Sequence, residues 1–229
     1  MSYEYVRENY ESLMDEIASI AARVGTAVPT LVAVTKSGTD EELLALAAAG
    51  VRDIGENRPQ ELIRRGALLH DAGYTPHLHE IGHLQSNKAA RIARVATLIH
   101  SVGSLSLARE LSRVGGLLGQ DVPILLEINS ACEESKSGVM PDDAFRFFES
   151  VRDLSHLCIC GLMTMGPNVE PEDIRPYFRL TKSIFDSVHT RYGFDTDAPV
   201  LSMGMSDSFG VAIEEGSTLV RVGRRLFIK

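Results

Sequence analysis

The chain has no excess of positive charge, no long apolar run and no paired set of cysteines. Its 229 residues include 31 acidic and 23 basic side chains, for a net charge of −8. This charge argues against a nucleic-acid or anionic-membrane partner. No apolar run approaches a membrane span, and the acidic N-terminus is unlike a signal peptide. Because the three cysteines, Cys132, Cys158 and Cys160, form no disulfide framework, we expect a reducing, cytoplasmic location.

Lysine is scarce as well, since the basic residues include only five lysines: Lys36, Lys88, Lys136, Lys182 and Lys229. Lys36 ends a predicted strand and shares a strand face with Val32 and Val34. A lysine in this place either extends into solvent or lies in a site where burial and positive neighbours favour the neutral amine. A neutral amine is available to form a Schiff base.

Hydrophobic periodicity divides the chain into one leading helix over residues 3–24 and eight strands separated by helices. The predicted strands span residues 31–36, 51–55, 77–82, 97–102, 122–129, 157–163, 200–203 and 218–222. Eight such units in a chain of this length predict a single (β/α)₈ barrel domain over residues 1–229, with an extra N-terminal helix. An open doubly wound sheet is the alternative, because alternation of strands and helices does not show closure.

In a barrel the chemistry lies at the carboxyl ends of the strands, and several predicted strands end in polar residues. Those expected to point inward are Lys36, Asn57, His79, Glu127, Ser202 and Arg221. The histidines at positions 77, 79 and 83 lack a third ligand at fixed spacing. They are therefore interpreted as core or hydrogen-bonding residues rather than as a metal site.

The C-terminal segment combines a strand arginine with two small-residue turns. Arg221 lies between Val220 and Val222, so it occupies the opposite strand face. Ser206 is expected to open a helix over residues 207–215, and Gly223 allows a close backbone approach. Arg221 is either a structural partner of a carboxylate or part of a ligand site. A lysine, an arginine and an anion site together indicate pyridoxal phosphate.

Seven motifs carry a resemblance to a known family. They lie at residues 32–36, 55–57, 79–88, 134–138, 161–163, 201–206 and 216–223. From about residue 6 to the C-terminus the sequence resembles the pyridoxal phosphate homeostasis family (YggS/PROSC). The resemblance implies a barrel similar to the N-terminal barrel of alanine racemase.

The resemblance also implies roles for individual residues. Lys36 would carry pyridoxal phosphate as an internal aldimine, and Arg221 would face the pyridine nitrogen. Ser206 and the backbone of Gly223 and Arg224 would hold the phosphate, although Arg224 stands where the family commonly has Thr or Ser. Four more residues are expected in the pocket: Asn57, Ser202, Met203 and His79.

The function implied is that of a cytoplasmic protein that stores, buffers or delivers pyridoxal phosphate. A monomer is expected, with pyridoxal phosphate-dependent apoenzymes as candidate partners. Conventional catalysis is not expected, because alanine racemase needs a second domain that supplies a catalytic tyrosine, and we expect this chain to lack that domain. The alternatives are a slow pyridoxal phosphate-dependent amino-acid racemase with Lys36 as its base, and a phosphate-binding barrel without pyridoxal.

Overall fold

Eight parallel strands close into a barrel in chain order in the computed structural model, which describes residues 3–133 and 135–229. The strands are β1 (Thr30–Val34), β2 (Asp53–Glu56), β3 (His77–Glu80), β4 (Leu98–Val102), β5 (Val122–Glu127), β6 (Leu157–Met163), β7 (Val200–Ser202) and β8 (Leu219–Val222). The predicted barrel is confirmed and the open sheet is wrong, because β8 pairs with β1. Glu134, the first residue of the 134–138 motif, lies outside the described residues.

Eight α-helices are assigned within the described residues. They are α1 (Glu4–Val24), α2 (Asp40–Ala48), α3 (Pro59–Asp71), α4 (Ala89–Ile92), α5 (Leu105–Leu118), α6 (Ala144–Arg152), α7 (Arg175–Tyr192) and α8 (Phe209–Glu214). None of these helices is both long and apolar enough to span a bilayer.

The extra N-terminal helix packs against α2 and α8. It buries Val6, Leu13 and Ile17 on one face, as their helical spacing predicts. The side-chain amide of Asn9 donates hydrogen bonds to the carbonyl oxygens of Leu226, at 3.3 Å, and Ile228, at 2.8 Å. Helix α1 therefore fastens the C-terminal segment to the outside of the barrel.

Some predicted element boundaries are wrong near the carboxyl ends of the strands. Strand β1 ends at Val34, so Lys36 lies in the following turn rather than in the strand. Helix α8 begins at Phe209, and Ser206 does not open it. Instead, the backbone N–H of Met205 donates to Ser208 Oγ at 3.1 Å, which holds residues 205–208 in a turn. Lys36 and Ser206 thus lie in turns that follow the strands.

Glu80 in β3 has a carboxyl group that is fully buried. Its Oε1 accepts a hydrogen bond from the backbone N–H of Gly82 at 3.2 Å, and its Oε2 has no partner among the described residues. Burial and, to a smaller extent, the charge of Glu56 raise the pKa of Glu80 to about 8, although the hydrogen bond from Gly82 opposes this shift. The carboxyl group is therefore protonated in the folded protein at neutral pH.

This burial predicts a pH-dependent loss of stability that Glu80→Gln removes. The unfolded chain ionises Glu80 near its ordinary pKa of about 4.3, whereas the folded protein does so near 8. The free energy of unfolding therefore falls as the pH rises between these two values. Thermal melts of Glu80→Gln should show a melting temperature that exceeds the wild-type value increasingly across this range. Glu8→Gln, on the exposed side of α1, is the control. Parallel pH profiles for Glu80→Gln and the wild type would contradict the prediction.

Candidate functional site

A cavity of about 500 Å³ opens at the carboxyl ends of the strands. Six of the nine residues predicted for the site line it: Lys36, Asn57, Ser206, Arg221, Gly223 and Arg224. Its size falls within the range of small-molecule sites. The structure thus brings these six residues to one cavity, and their role in binding a ligand stays a prediction.

Lys36 is held at this cavity by a buried ion pair beneath its turn. Arg65 in α3 donates hydrogen bonds to the carbonyl oxygens of Thr35 and Gly38, the latter at 2.7 Å. The same guanidinium contacts Glu56 Oε1 at 2.9 Å, and Thr35 Oγ1 donates to that oxygen at 2.6 Å. The turn is therefore fixed on both sides of Lys36, whose own side chain is exposed. Of the two alternatives for Lys36, the structure shows a side chain that extends into solvent at the cavity wall.

Arg221 forms the floor of the cavity and is only 3% exposed. Its guanidinium donates hydrogen bonds to Ser202 Oγ at 2.5 Å and to the carbonyl oxygen of Thr164 at 3.0 Å. Burial lowers the pKa of Arg221 to about 10, and the charge of Glu127 opposes this shift. Arg221 therefore stays positively charged at neutral pH and remains a hydrogen-bond donor.

Below Arg221 a chain of hydrogen bonds crosses the barrel interior. Ser202 Oγ lies 3.0 Å from His100 Nδ1, His100 Nε2 lies 3.0 Å from His79 Nδ1, and His79 Nε2 lies 3.1 Å from Asp53 Oδ1. Burial, followed by the charges of His79 and Arg221, lowers the pKa of His100 well below its ordinary value. Because Arg221 donates to Ser202 Oγ, the hydroxyl of Ser202 is free to donate to Nδ1 of a neutral His100.

Three predicted site residues do not line the cavity. His79 and Ser202 are buried in this interior chain, underneath Arg221. Met203 is fully buried in the hydrophobic core, because it lies on the other strand face from Ser202, and Met205 lines the cavity instead. The structure therefore does not bring these three residues to the cavity wall.

The sequence analysis also missed three residues that support the site: Glu56, Arg65 and His100. His100 sits in the middle of β4, on the strand face that it shares with the buried Leu98. A histidine at such an apolar position was the available signal. Among the described residues no group of three or more His, Cys, Asp or Glu side chains could hold a metal ion. The metal reading of His77, His79 and His83 thus gains no support.

Another wall of the cavity presents groups suited to an anion. The backbone N–H of Gly223 points to Ser206 Oγ at 3.4 Å, and Arg224 forms an exposed ion pair with Asp207. A Cβ atom on Gly223 would lie 2.7 Å from the carbonyl oxygen of Val34, so only glycine lets the chain after β8 approach β1 this closely. A hydroxyl, a backbone N–H and a guanidinium therefore converge here.

Comparison with known proteins identifies the family. The family model described as "Alanine racemase, N-terminal domain" matches residues 9–228. The pyridoxal phosphate homeostasis protein of Aquifex aeolicus is 35% identical over 223 residues, which cover 96% of each chain. The corresponding protein of Pseudomonas aeruginosa is 37% identical over 229 residues, covering 94% of this chain and 95% of the relative.

Solved structures agree with this relationship. The structure of PipY from Synechococcus elongatus with pyridoxal phosphate bound is 30% identical, with a TM-score of 0.84, and the match covers 97% of this chain and all of PipY. Alanine racemase from Clostridium difficile has a TM-score of 0.75 at 16% identity, and the match covers 58% of that chain. This second likeness shows the fold alone. By sequence and by fold, the chain belongs to the pyridoxal phosphate homeostasis family, whose barrel is that of the alanine racemase N-terminal domain.

Proposed function

We propose that this protein binds pyridoxal phosphate in the barrel-mouth cavity, with covalent attachment through Lys36, and keeps it available for other proteins. The observation that carries the proposal is an exposed lysine and a buried, charged arginine on the walls of one cavity of suitable size. The names of the relatives in Aquifex and Pseudomonas and the ligand in the PipY structure support it.

The residues present fit the three polar parts of this cofactor. When bound, the cofactor supplies an aldehyde that reacts with primary amines. Lys36 offers the amine, and Arg221 offers a fixed positive donor for the pyridine nitrogen. Ser206, the N–H of Gly223 and the guanidinium of Arg224 suit the phosphate. Asn57 completes the wall beside Lys36.

Arg221 holds its proton rather than transferring it. Its pKa of about 10 lies well above neutral pH, so the guanidinium donates a hydrogen bond without protonating the ring. The guanidinium is positioned by the hydrogen bonds of Ser202, His100 and His79, which do not line the cavity themselves. These residues orient and retain the ligand. This arrangement suits a cofactor reserve better than an amino-acid converting enzyme.

The role that we propose is storage, buffering or delivery of the cofactor to pyridoxal phosphate-dependent apoenzymes. We further propose a cytoplasmic monomer in which residues 1–229 form one cofactor-binding domain. The three cysteines are free, which agrees with a reducing compartment. Delivery is tested by mixing the loaded protein with an apoenzyme and an excess of an aldehyde-trapping reagent. We expect the apoenzyme to gain activity that equally concentrated free pyridoxal phosphate does not produce. Equal suppression of both would contradict direct delivery.

Replacing Arg221 should weaken cofactor retention. A hydrogen bond that involves a charged group contributes about 1.5–3 kcal/mol, so Arg221→Ala should raise the cofactor dissociation constant about 10- to 100-fold. Equilibrium dialysis measures the constant, and circular dichroism checks that the variant is folded. Arg179→Ala, which removes an exposed partner of Glu215, is the matched control and should retain wild-type affinity. Unchanged affinity in a folded Arg221→Ala protein would make Arg221 only a structural residue.

A further inference from the structure

Glu127, the last residue of β5, has a buried carboxylate that the proposed function leaves unexplained. The residue is 7% exposed, and its Oε2 accepts no hydrogen bond from any described residue. Buried carboxylates are costly unless hydrogen bonds or a counter-charge compensate them. An unpartnered group of this kind at a cavity wall indicates a missing ligand.

The backbone around Glu127 is built to keep the carboxylate in place. The N–H of Val139 donates to the carbonyl oxygen of Glu127 at 2.8 Å, and the N–H of Asn129 donates to that of Val139 at 2.9 Å. A Cβ atom on Gly103 would lie 3.3 Å from Glu127 Oε2 and 2.8 Å from the Cα atom of Gly138. Two glycines thus make room for the carboxylate under a loop that both backbone hydrogen bonds close.

The carboxylate lines a second cavity, of about 220 Å³, beside the proposed cofactor cavity. Both cavities share Ile81, Gly82, His83 and Met165 as walls. Three of the hydroxyls around the second cavity already have partners. Ser130 Oγ lies 2.9 Å from Thr164 Oγ1, and Ser137 Oγ lies 3.2 Å from His83 Nδ1. Among the described residues that line this cavity, Glu127 is the one with a buried side-chain oxygen that lacks a hydrogen-bond donor.

Neither nearby cation of the chain serves as that donor. The guanidinium of Arg221 donates to Ser202 and Thr164. Lys136 lines the same cavity, but it forms no salt bridge with Glu127 in the described part of the chain. Burial raises the pKa of Glu127 to about 7, and the charge of Arg221 opposes this shift. The group is therefore largely anionic in mildly alkaline solution, where a cationic ligand would find it.

We propose that this second cavity binds a small organic molecule that carries a primary ammonium group. The carboxylate of Glu127 would accept hydrogen bonds from that ammonium group. A cavity of about 220 Å³ is larger than a bare ion requires, which favours an organic cation. An ammonium group supplies three donors to a carboxylate that has none. The ligand would lie next to the cavity that Lys36 lines. The amine of the ligand and the amine of Lys36 would therefore occupy neighbouring cavities. The site is defined by Glu127 and does not depend on the proposed cofactor.

The test follows Glu127 itself by carboxyl ¹³C NMR, with propylamine as the probe and with 1-propanol, propionate and sodium chloride as comparisons. The protein is first treated with borohydride, so that any bound aldehyde is reduced and cannot react with the probe. We expect propylamine to shift the Glu127 signal saturably at about pH 8 and much more weakly at about pH 5.5, where Glu127, with its pKa of about 7, is protonated. His83 and Lys136 also line the second cavity, and Arg221 lines the neighbouring one, so the Glu127 signal must be the one that titrates.

Two variants separate this proposal from its alternatives. Glu127→Gln keeps the shape of the side chain and should weaken propylamine binding about tenfold or more, as measured by saturation transfer. Lys136→Met should change it less than about twofold, as expected for a cation outside salt-bridge distance. Equal binding by Glu127→Gln, an equal response to sodium chloride, or much tighter binding by Lys136→Met would overturn the proposal. The mass of the reduced Lys36 peptide reports cofactor attachment separately. Failure of the proposed ammonium site is therefore distinguishable from failure of the proposed cofactor binding.

Discussion

Lys36→Ala is expected to abolish covalent attachment of pyridoxal phosphate. Lys36 is the one lysine that lines the barrel-mouth cavity in the described residues, and it faces the cavity that Arg221 floors. An aldehyde held there has this single amine within the cavity. After borohydride reduction, peptide mass spectrometry should place the cofactor on the Lys36 peptide of the wild type and find no adduct in the variant.

The matched control is Lys182→Ala, whose lysine forms an ion pair with Asp186 on α7, away from the cavity. This control should keep the wild-type amount of adduct. Lys136 is the expected secondary attachment residue, because it lines the neighbouring cavity. An adduct on Lys88 or Lys136 as the main product in fresh protein would overturn the assignment of Lys36.

The barrel could be predicted because each of its signals is local in the sequence. Apolar runs such as residues 157–163 are bounded by turn residues, and the structure places β6 over this same range. Errors arose where a side chain competes with the backbone. Ser208 accepts a hydrogen bond from the N–H of Met205, which delays the start of α8 to Phe209. Strand alternation does not contain this information.

The candidate site was predicted in part for a related reason. Alternation identifies the strand face that a side chain occupies but not its depth in the barrel. Arg221 and Ser202 both point inward, yet Arg221 reaches the cavity and Ser202 lies beneath it. His100 and His79 meet only because β3 and β4 are neighbours in the closed barrel. The depth of a side chain in the barrel and the identity of its neighbours depend on the closed fold, so strand alternation alone does not predict them.

The neighbouring residues Arg64 and Arg65 in α3 give another example of what the sequence shows and what only the fold shows. They are adjacent in sequence, and helical spacing from Leu62 and Leu69 puts Arg65 on the buried face of α3 without showing what it pairs with. In the structure the side chain of Arg64 is 46% exposed, whereas that of Arg65 is 7% exposed and pairs with the buried Glu56. The packing of α3 against β2 supplies that partner, which the helical pattern does not show. The two residues should therefore respond very differently to the same substitution.

Arg65→Met is expected to destabilise the protein strongly. Removing one member of a buried ion pair leaves the charge of Glu56 uncompensated, and such losses amount to about 3–5 kcal/mol. The substitution also removes the hydrogen bonds to the carbonyl oxygens of Thr35 and Gly38, which hold the turn of Lys36. Urea unfolding measures the first effect. The second should appear as slower borohydride labelling of Lys36 in protein that is still folded.

Arg64→Met is the matched control for this prediction. Arg64 pairs with Asp40 and Glu61 at the surface, where ion pairs contribute about 1 kcal/mol or less. Adding Glu56→Gln to Arg65→Met should restore part of the lost stability, because the double variant no longer buries an unpaired charge. Equal losses for Arg64→Met and Arg65→Met would show that the pair of Arg65 with Glu56 does not fix the turn. The exposed lysine would then owe its place at the cavity to strand β1 alone.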